Sequence, residues 1–233
     1  MIDLSRRVLV EEEMDGPGVS PAEYARALAD LARVNRVTLT HRPVLVWLDR
    51  ATAGLMQGAA VSVLDVASGQ GDLLRAIHRW GRARGFQLSL CGLDLNPRSA
   101  VEAAAATPVG MAITWRTGDV FADAPSPRPD FIVSSQFAHH LDDAGVVAFV
   151  RWLDRFAGRG WLIADLQRHL IAYYGFPLIA RAFGWHDIVR RDGMISIARG
   201  FRRAEWQASL DAARVGADIT WTVPFRYTVG RLR

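Results

Sequence analysis

The chain has 233 residues, half of them apolar and 22% charged, which fits one globular domain with a sizeable core and excludes a disordered or fibrous protein. Its longest uncharged run, residues 51–64, falls short of the ~20 apolar residues that a bilayer span needs, and the N-terminal MIDLSRRVLVEEEMDG lacks the apolar core of a signal peptide; a cytoplasmic protein with no membrane span is expected. All 28 basic residues are arginine against 24 acids, a net charge of +4 that does not demand a nucleic-acid partner and leaves no lysine for a Schiff base or a phosphate loop.

A first helix is predicted over 21–34: Ser20 caps it, Pro21 takes the first helical position, and Glu23 follows three residues after the cap. Ala27, Leu28, Leu31 and Val34 share one face. A second helix begins near 41–43 and stops at Gly54. The nearly continuous apolar run 61–66 suits a strand buried on both faces. A helix over 72–84 follows, with Leu73, Leu74, Ile77 and Trp80 inward and Arg75, Arg79 and Arg82 outward. The strand predicted over 86–93 holds the lone cysteine, Cys91, which can form no internal disulfide or cysteine-based zinc site and reads as a buried small hydrophobe.

Asn96 and Pro97 open another helix, and strands follow over 112–116 and, after the turn-rich APSPRPD, over 131–134. A helix over 142–156 and a strand over 161–164 complete the alternation. Strands alternating with helices predict a doubly wound, mostly parallel α/β sheet of Rossmann-like type. Beyond Asp165 come an aromatic, amphipathic stretch containing Pro177, a helix over 204–214, and two alternating segments, 217–223 and 225–232, that read as an antiparallel edge pair. One domain over 1–233 is expected: an N-terminal helical cap (1–58), a core (59–166), then lid helices and final strands (167–233). The densest basic run, Arg190, Arg191, Arg199, Arg202 and Arg203, reads as a solvated face.

The stretch VSVLDVASGQGDLLR joins the first core strand to its helix through small residues. Ligands of open α/β sheets bind at such strand carboxyl ends, and glycine lets them approach the main chain. A dinucleotide loop would place a third glycine at 74, where the chain has Leu74, which turns the reading away from NAD and FAD. Asp94 ends the second core strand, placed to accept both hydroxyls of a ribose, and Asp119 follows the third, placed to accept an adenine amino group.

Asp65 to Gly71 together with Asp94 and Asp119 resembles the class I S-adenosylmethionine-dependent methyltransferases, over roughly residues 61–165. The resemblance implies S-adenosylmethionine as cofactor. It implies that Ala67, Ser68, Gly69 and Gly71 wrap the methionine part and ribose, that Asp94 and Leu95 hold the ribose, and that Asp119 and Val120 bracket the adenine. Asp65 would position the loop or the methionine amine, and Ser135 would complete the cofactor site. Arg36 or His41 could reach the cofactor carboxylate. The family commonly has glycine where this chain has Ala67, so a negative φ is expected there.

After the fourth strand, SSQFAHHLDD lacks the acid-or-Asn-Pro-Pro-aromatic pattern of nucleobase amino methylation and resembles small-molecule enzymes of quinone-biosynthesis and polyketide-tailoring type. A phenolic or polyketide-like acceptor for O-methylation is implied, with C-methylation of a quinone or phenol ring, or a silent cofactor- or partner-binding protein, as alternatives. A hydroxyl acceptor must lose its proton, and a neutral histidine suits that task; His140 and His139 are the candidate bases, with Asp165 and His169 as a second pair. Tyr173, Tyr174, Phe176, Phe183 and Trp185 could wall an apolar pocket. No spacing of His, Asp and Glu makes a metal site, and metal independence is expected. A monomer or homodimer is expected.

Overall fold

The computed structural model describes residues 3–16 and 18–233. A seven-stranded sheet carries the fold: β1 (Ala60–Val66), β2 (Gln87–Asp94), β3 (Ile113–Thr117), β4 (Phe131–Ser135), β5 (Gly160–Leu166), β6 (Asp218–Thr222) and β7 (Arg226–Leu232), in spatial order β3-β2-β1-β4-β5-β7-β6. The first five run parallel. β7 inserts antiparallel between β5 and β6, giving the expected antiparallel pair. The strand order reverses between β1 and β4, where open α/β sheets bind ligands.

Eight α-helices accompany the sheet: α1 (Pro21–Val37), α2 (Arg42–Ala51), α3 (Asp72–Ala83), α4 (Pro97–Ala105), α5 (Asp143–Phe156), α6 (Leu170–Ala182), α7 (Asp187–Arg199) and α8 (Arg203–Ala213). Period-two alternation splits the strands between two cores. Leu64, Val66, Ile132, Trp161 and Ile163 join Phe149, Leu153 and Trp206 on one side. Val61, Val63, Phe131, Val133 and Leu162 join Leu48, Leu74 and Ile77 on the other. A third core, built on Tyr24, Ala27, Leu28, Trp185 and Ile188, ties α1 to the α6–α7 region.

Two parts of the chain depart from the sequence reading. The N-terminal cap begins with an irregular strap, residues 3–16, with a single 3-10 turn at Glu13–Asp15. Buried arginines pin it: Arg168 donates to the Leu4 carbonyl at 3.0 Å and Arg199 to the Val10 carbonyl at 2.6 Å. The second departure is α7, whose periodicity Gly193 interrupts. A Cβ on Gly193 would lie 2.1 Å from the Phe176 ring, so the close approach of α7 to α6 requires glycine there. The arginine run is not one solvated face: Arg199 is buried, Arg190 pairs with Asp187, and Arg191 pairs with Glu13. Cys91 is half-buried rather than buried. No helix among the described residues is long and apolar enough to cross a membrane.

Candidate active site

A cavity of about 890 Å³ lies over the carboxyl ends of β1, β2, β3 and β4, roofed by the strap, α1 and the C-terminal end of α7. Its floor carries most of the residues singled out for the cofactor: Asp65, Ala67, Ser68, Gly69, Asp94, Leu95, Asp119, Val120 and Ser135. Asp94 organises this end. Its two carboxylate oxygens accept the Gly69 amide at 2.8 Å and the Asn96 amide at 3.0 Å, so one side chain fixes the β1–α3 loop and the turn after β2. Asp119 accepts the Phe121 amide at 2.9 Å. Leu95 presents an exposed apolar side chain, whereas Val120 is buried beneath the cavity. The Ser135 hydroxyl, buried at the end of β4, makes no hydrogen bond with the described residues.

Negative charge concentrates under the loop. Asp65 is 2% exposed; burial, reinforced by the charges of Asp72 and Asp94, holds its pKa well above the usual carboxylate range. A bound cation would relieve that crowding. Asp72, which opens α3 and was not singled out from sequence, accepts His41 Nε2–H and Asn35 Nδ2–H, each at 2.9 Å; Asn35 in turn accepts Gln136 Nε2–H at 2.7 Å. The α1–α2 region thereby joins the turn after β4 through side chains that all line the cavity.

Several expectations need correction. Ala67 has φ +58°, not a negative value. Its amide donates to the Leu93 carbonyl at 2.8 Å, which holds this left-handed turn in place. Gln136 also has φ +58°, so both non-glycine residues held in this unfavourable region beside the cavity come from strand-end turns. Gly71 does not reach the cavity wall. It is left-handed (φ +76°), and an added Cβ would meet the Trp115 ring at 2.0 Å, so it serves loop closure and packing. Arg36 is exposed and away from the wall, leaving His41 as the residue of that pair at the site.

Asp165 pairs with His139, while His169 stacks on Phe225 and accepts the Ile171 amide. The aromatic wall does not form: none of Tyr173, Tyr174, Phe176, Phe183 and Trp185 lines the cavity. Met14, Tyr24, Leu28, Leu31, Phe121 and Phe137 supply its apolar surface.

The two histidines do line the cavity, on its β4 side, across β1 from the acids of β2 and β3, and they meet Glu12 of the strap. His139 is 2% exposed and donates Nδ1–H to Asp165 Oδ1 at 2.7 Å; its amide donates to Asp165 Oδ2 at 3.1 Å. Its Nε2 lies 3.5 Å from Glu12 Oε1, and His140 Nε2 lies 3.6 Å from the same oxygen. Ser196 Oγ–H of α7 donates to that oxygen at 2.6 Å.

Burial would lower the His139 pKa, but the Asp165 and Glu12 carboxylates outweigh it and raise it to about 9. Burial, then the His139 charge, lowers His140 to about 4. Burial would raise Glu12, yet the two histidines and Ser196 bring it down to about 2. Arg199 clamps the backbone beneath, donating to the carbonyls of His139 (3.0 Å) and His140 (2.8 Å). Glu12 escaped the sequence reading because a run of three glutamates in a non-periodic segment reads as solvated; only the tertiary fold separates buried Glu12 from exposed Glu11 and Glu13.

Residues 63–160 match the family described as a methyltransferase domain. This span is a methyltransferase domain, and the sheet that contains it has the Rossmann-like class I methyltransferase fold. No curated protein matches the chain significantly. Among solved structures, the chain is similar to the Synechocystis PCC 6803 magnesium protoporphyrin IX methyltransferase with bound S-adenosylhomocysteine (17% identity, 94% of this chain and 91% of that one, TM-score 0.55). It is also similar to human N-acetylserotonin methyltransferase in complex with S-adenosylmethionine (17% identity, 92% of this chain and 56% of that one, TM-score 0.62). A third is the plantazolicin methyltransferase BpumL in complex with a monoazolic desmethylPZN analogue and S-adenosylhomocysteine (12% identity, 91% of each chain, TM-score 0.65).

Proposed function

We propose that the chain transfers a methyl group from S-adenosylmethionine to a hydroxyl oxygen of a phenolic or polyketide-like small molecule. The observation that carries this reading is the two-ended cavity. On the side of β1, β2 and β3 it is lined by Asp65, the Ser68–Gly69 turn, Asp94 and Asp119; on the β4 side it is lined by Ser135, His139 and His140, with Glu12 beside the two histidines. The acids of the first end suit a cofactor that bears an ammonium and a sulfonium group, and Asp94 has lone pairs left for ribose hydroxyls. Methyl transfer from a sulfonium is an in-line displacement with a good leaving group, so alignment of oxygen, methyl and sulfur is the main requirement on the protein. The acceptor oxygen must shed its proton, and the histidine end is where it does so. The similar solved structures named above are methyltransferases named for small molecules: magnesium protoporphyrin IX, N-acetylserotonin and plantazolicin.

The test is a labelled-methyl assay over phenols, quinones and hydroxy acids, with the methyl position in any product fixed by NMR. An O-methyl product is expected. Methyl on a ring carbon would replace the oxygen acceptor with a carbon one, and stabilisation by S-adenosylhomocysteine without transfer to any class would point to a silent cofactor-binding protein.

A further inference from the structure

We infer that Glu12, His139 and His140 form a binding site for one divalent transition-metal ion of the zinc class at the acceptor end of the cavity. His139 Nε2, His140 Nε2 and a Glu12 oxygen lie within 4.8 Å of one another. The two measured histidine-to-carboxylate separations, 3.5 and 3.6 Å, are too long for good hydrogen bonds. They are close to the ~3.4 Å edge of a tetrahedron built on ligand bonds of ~2.1 Å to a central ion. Two imidazoles and one carboxylate are a zinc-type donor set that leaves the fourth position for a water or substrate oxygen. All three residues line the cavity, so that position opens onto it.

The surroundings are those of a held metal site rather than a chance encounter. His139 turns Nε2 toward Glu12 because Asp165 takes Nδ1–H at 2.7 Å, the carboxylate–histidine arrangement that orients metal ligands and makes them more basic. Ser196 orients the Glu12 carboxylate at 2.6 Å. Asp165 and Glu12 bring two carboxylates into a nearly water-free region. Arg199 donates to the carbonyls of Val10, His139 and His140, and Arg7 to those of His139 and Leu141, so both guanidiniums hold the backbone beneath the site. The ligands come from the strap and the turn after β4, each anchored by Arg199, so little ordering remains to be done on binding.

This inference deepens the proposed function: an ion there would hold the acceptor oxygen and lower the pKa of its hydroxyl, so that the proton leaves to solvent before the oxygen lone pair bonds to the methyl carbon and the methyl–sulfur bond breaks, releasing the neutral thioether S-adenosylhomocysteine.

Untagged protein, stripped with a chelator and dialysed, is titrated with Zn²⁺ and with Co²⁺ and analysed by metal content and by the visible Co²⁺ spectrum. One ion per chain is expected, with the intense absorption of four- or five-coordinate Co²⁺. Glu12→Gln and His140→Ala are each expected to weaken Zn²⁺ binding at least tenfold while keeping wild-type stabilisation by S-adenosylhomocysteine, which shows that they fold. Less than one equivalent in the wild type, or unchanged affinity in both variants, overturns the inference. Metal content is read apart from catalysis. Stoichiometric zinc with no methyl transfer would sink the acceptor reading alone, and full methyl transfer in chelator beside stoichiometric zinc would sink only the ion's part in the reaction.

Discussion

The two ends of the cavity are built in different ways. The cofactor end is assembled from successive strand ends of one parallel sheet: the loop after β1, Asp94 at the end of β2, Asp119 after β3. Its parts are close in sequence, and its geometry follows from sheet topology. The histidine end gathers Glu12 from the strap, His139 and His140 from the turn after β4, Asp165 from β5, and Ser196 and Arg199 from α7. Its ion pair between His139 and Glu12 bridges residues 127 positions apart (139 − 12 = 127). The ends of β1, β2 and β3 thus supply the proposed donor site, whereas the proposed acceptor site adds to the ends of β4 and β5 two segments from outside the parallel sheet, the strap and α7.

If the two ends are separable, substitutions should fall on one or the other. His140→Ala should lower turnover by ~10³-fold and leave the affinity for S-adenosylhomocysteine within about twofold; parallel kinetics and calorimetry check this, and equal losses in both would erase the division. Arg199→Ala removes a buried guanidinium from three carbonyls. It should cost about 3 kcal/mol, a fall in Tm of roughly 6–12 °C measured by scanning calorimetry, with the strap becoming open to protease. An intact strap would show that other contacts suffice to hold it.

Asp94→Asn should weaken S-adenosylhomocysteine binding ~30-fold, by replacing charge-assisted with neutral hydrogen bonds, without altering the response to metal ions at the far end. Ala67→Gly is the smallest effect. Relief of a left-handed alanine should stabilise the chain by about 1 kcal/mol, seen as a higher denaturant midpoint; destabilisation would mean that the alanine methyl makes contacts worth more than its backbone strain.

The same contrast explains what could be read in advance. Strands β1 to β5 announced themselves as short apolar runs between helices with caps and stops, and Asp94 and Asp119 were legible because strand ends can be located from pattern alone. Ala67 was misjudged because the sequence does not display the Leu93 carbonyl that pins its amide. Glu12 and Ser196 were invisible, since each sits in a segment whose local pattern is polar or irregular and acquires its role only when distant elements pack. His139 and His140 could be placed just after β4 from pattern, but that Asp165 takes Nδ1 of His139 alone follows only from the fold. The aromatic residues of α6 failed as a pocket wall because Tyr174 and Phe183 are exposed, while Phe176 and Trp185 pack in the third core.

The central claim is that one cavity brings a sulfonium methyl donor to a small-molecule hydroxyl. It is tested most directly by incubating the purified protein with methyl-labelled S-adenosylmethionine and a panel of phenolic acceptors, then locating the label by NMR. Label in a new aryl methyl ether is the predicted result; label on no acceptor, or only on ring carbon, would contradict it.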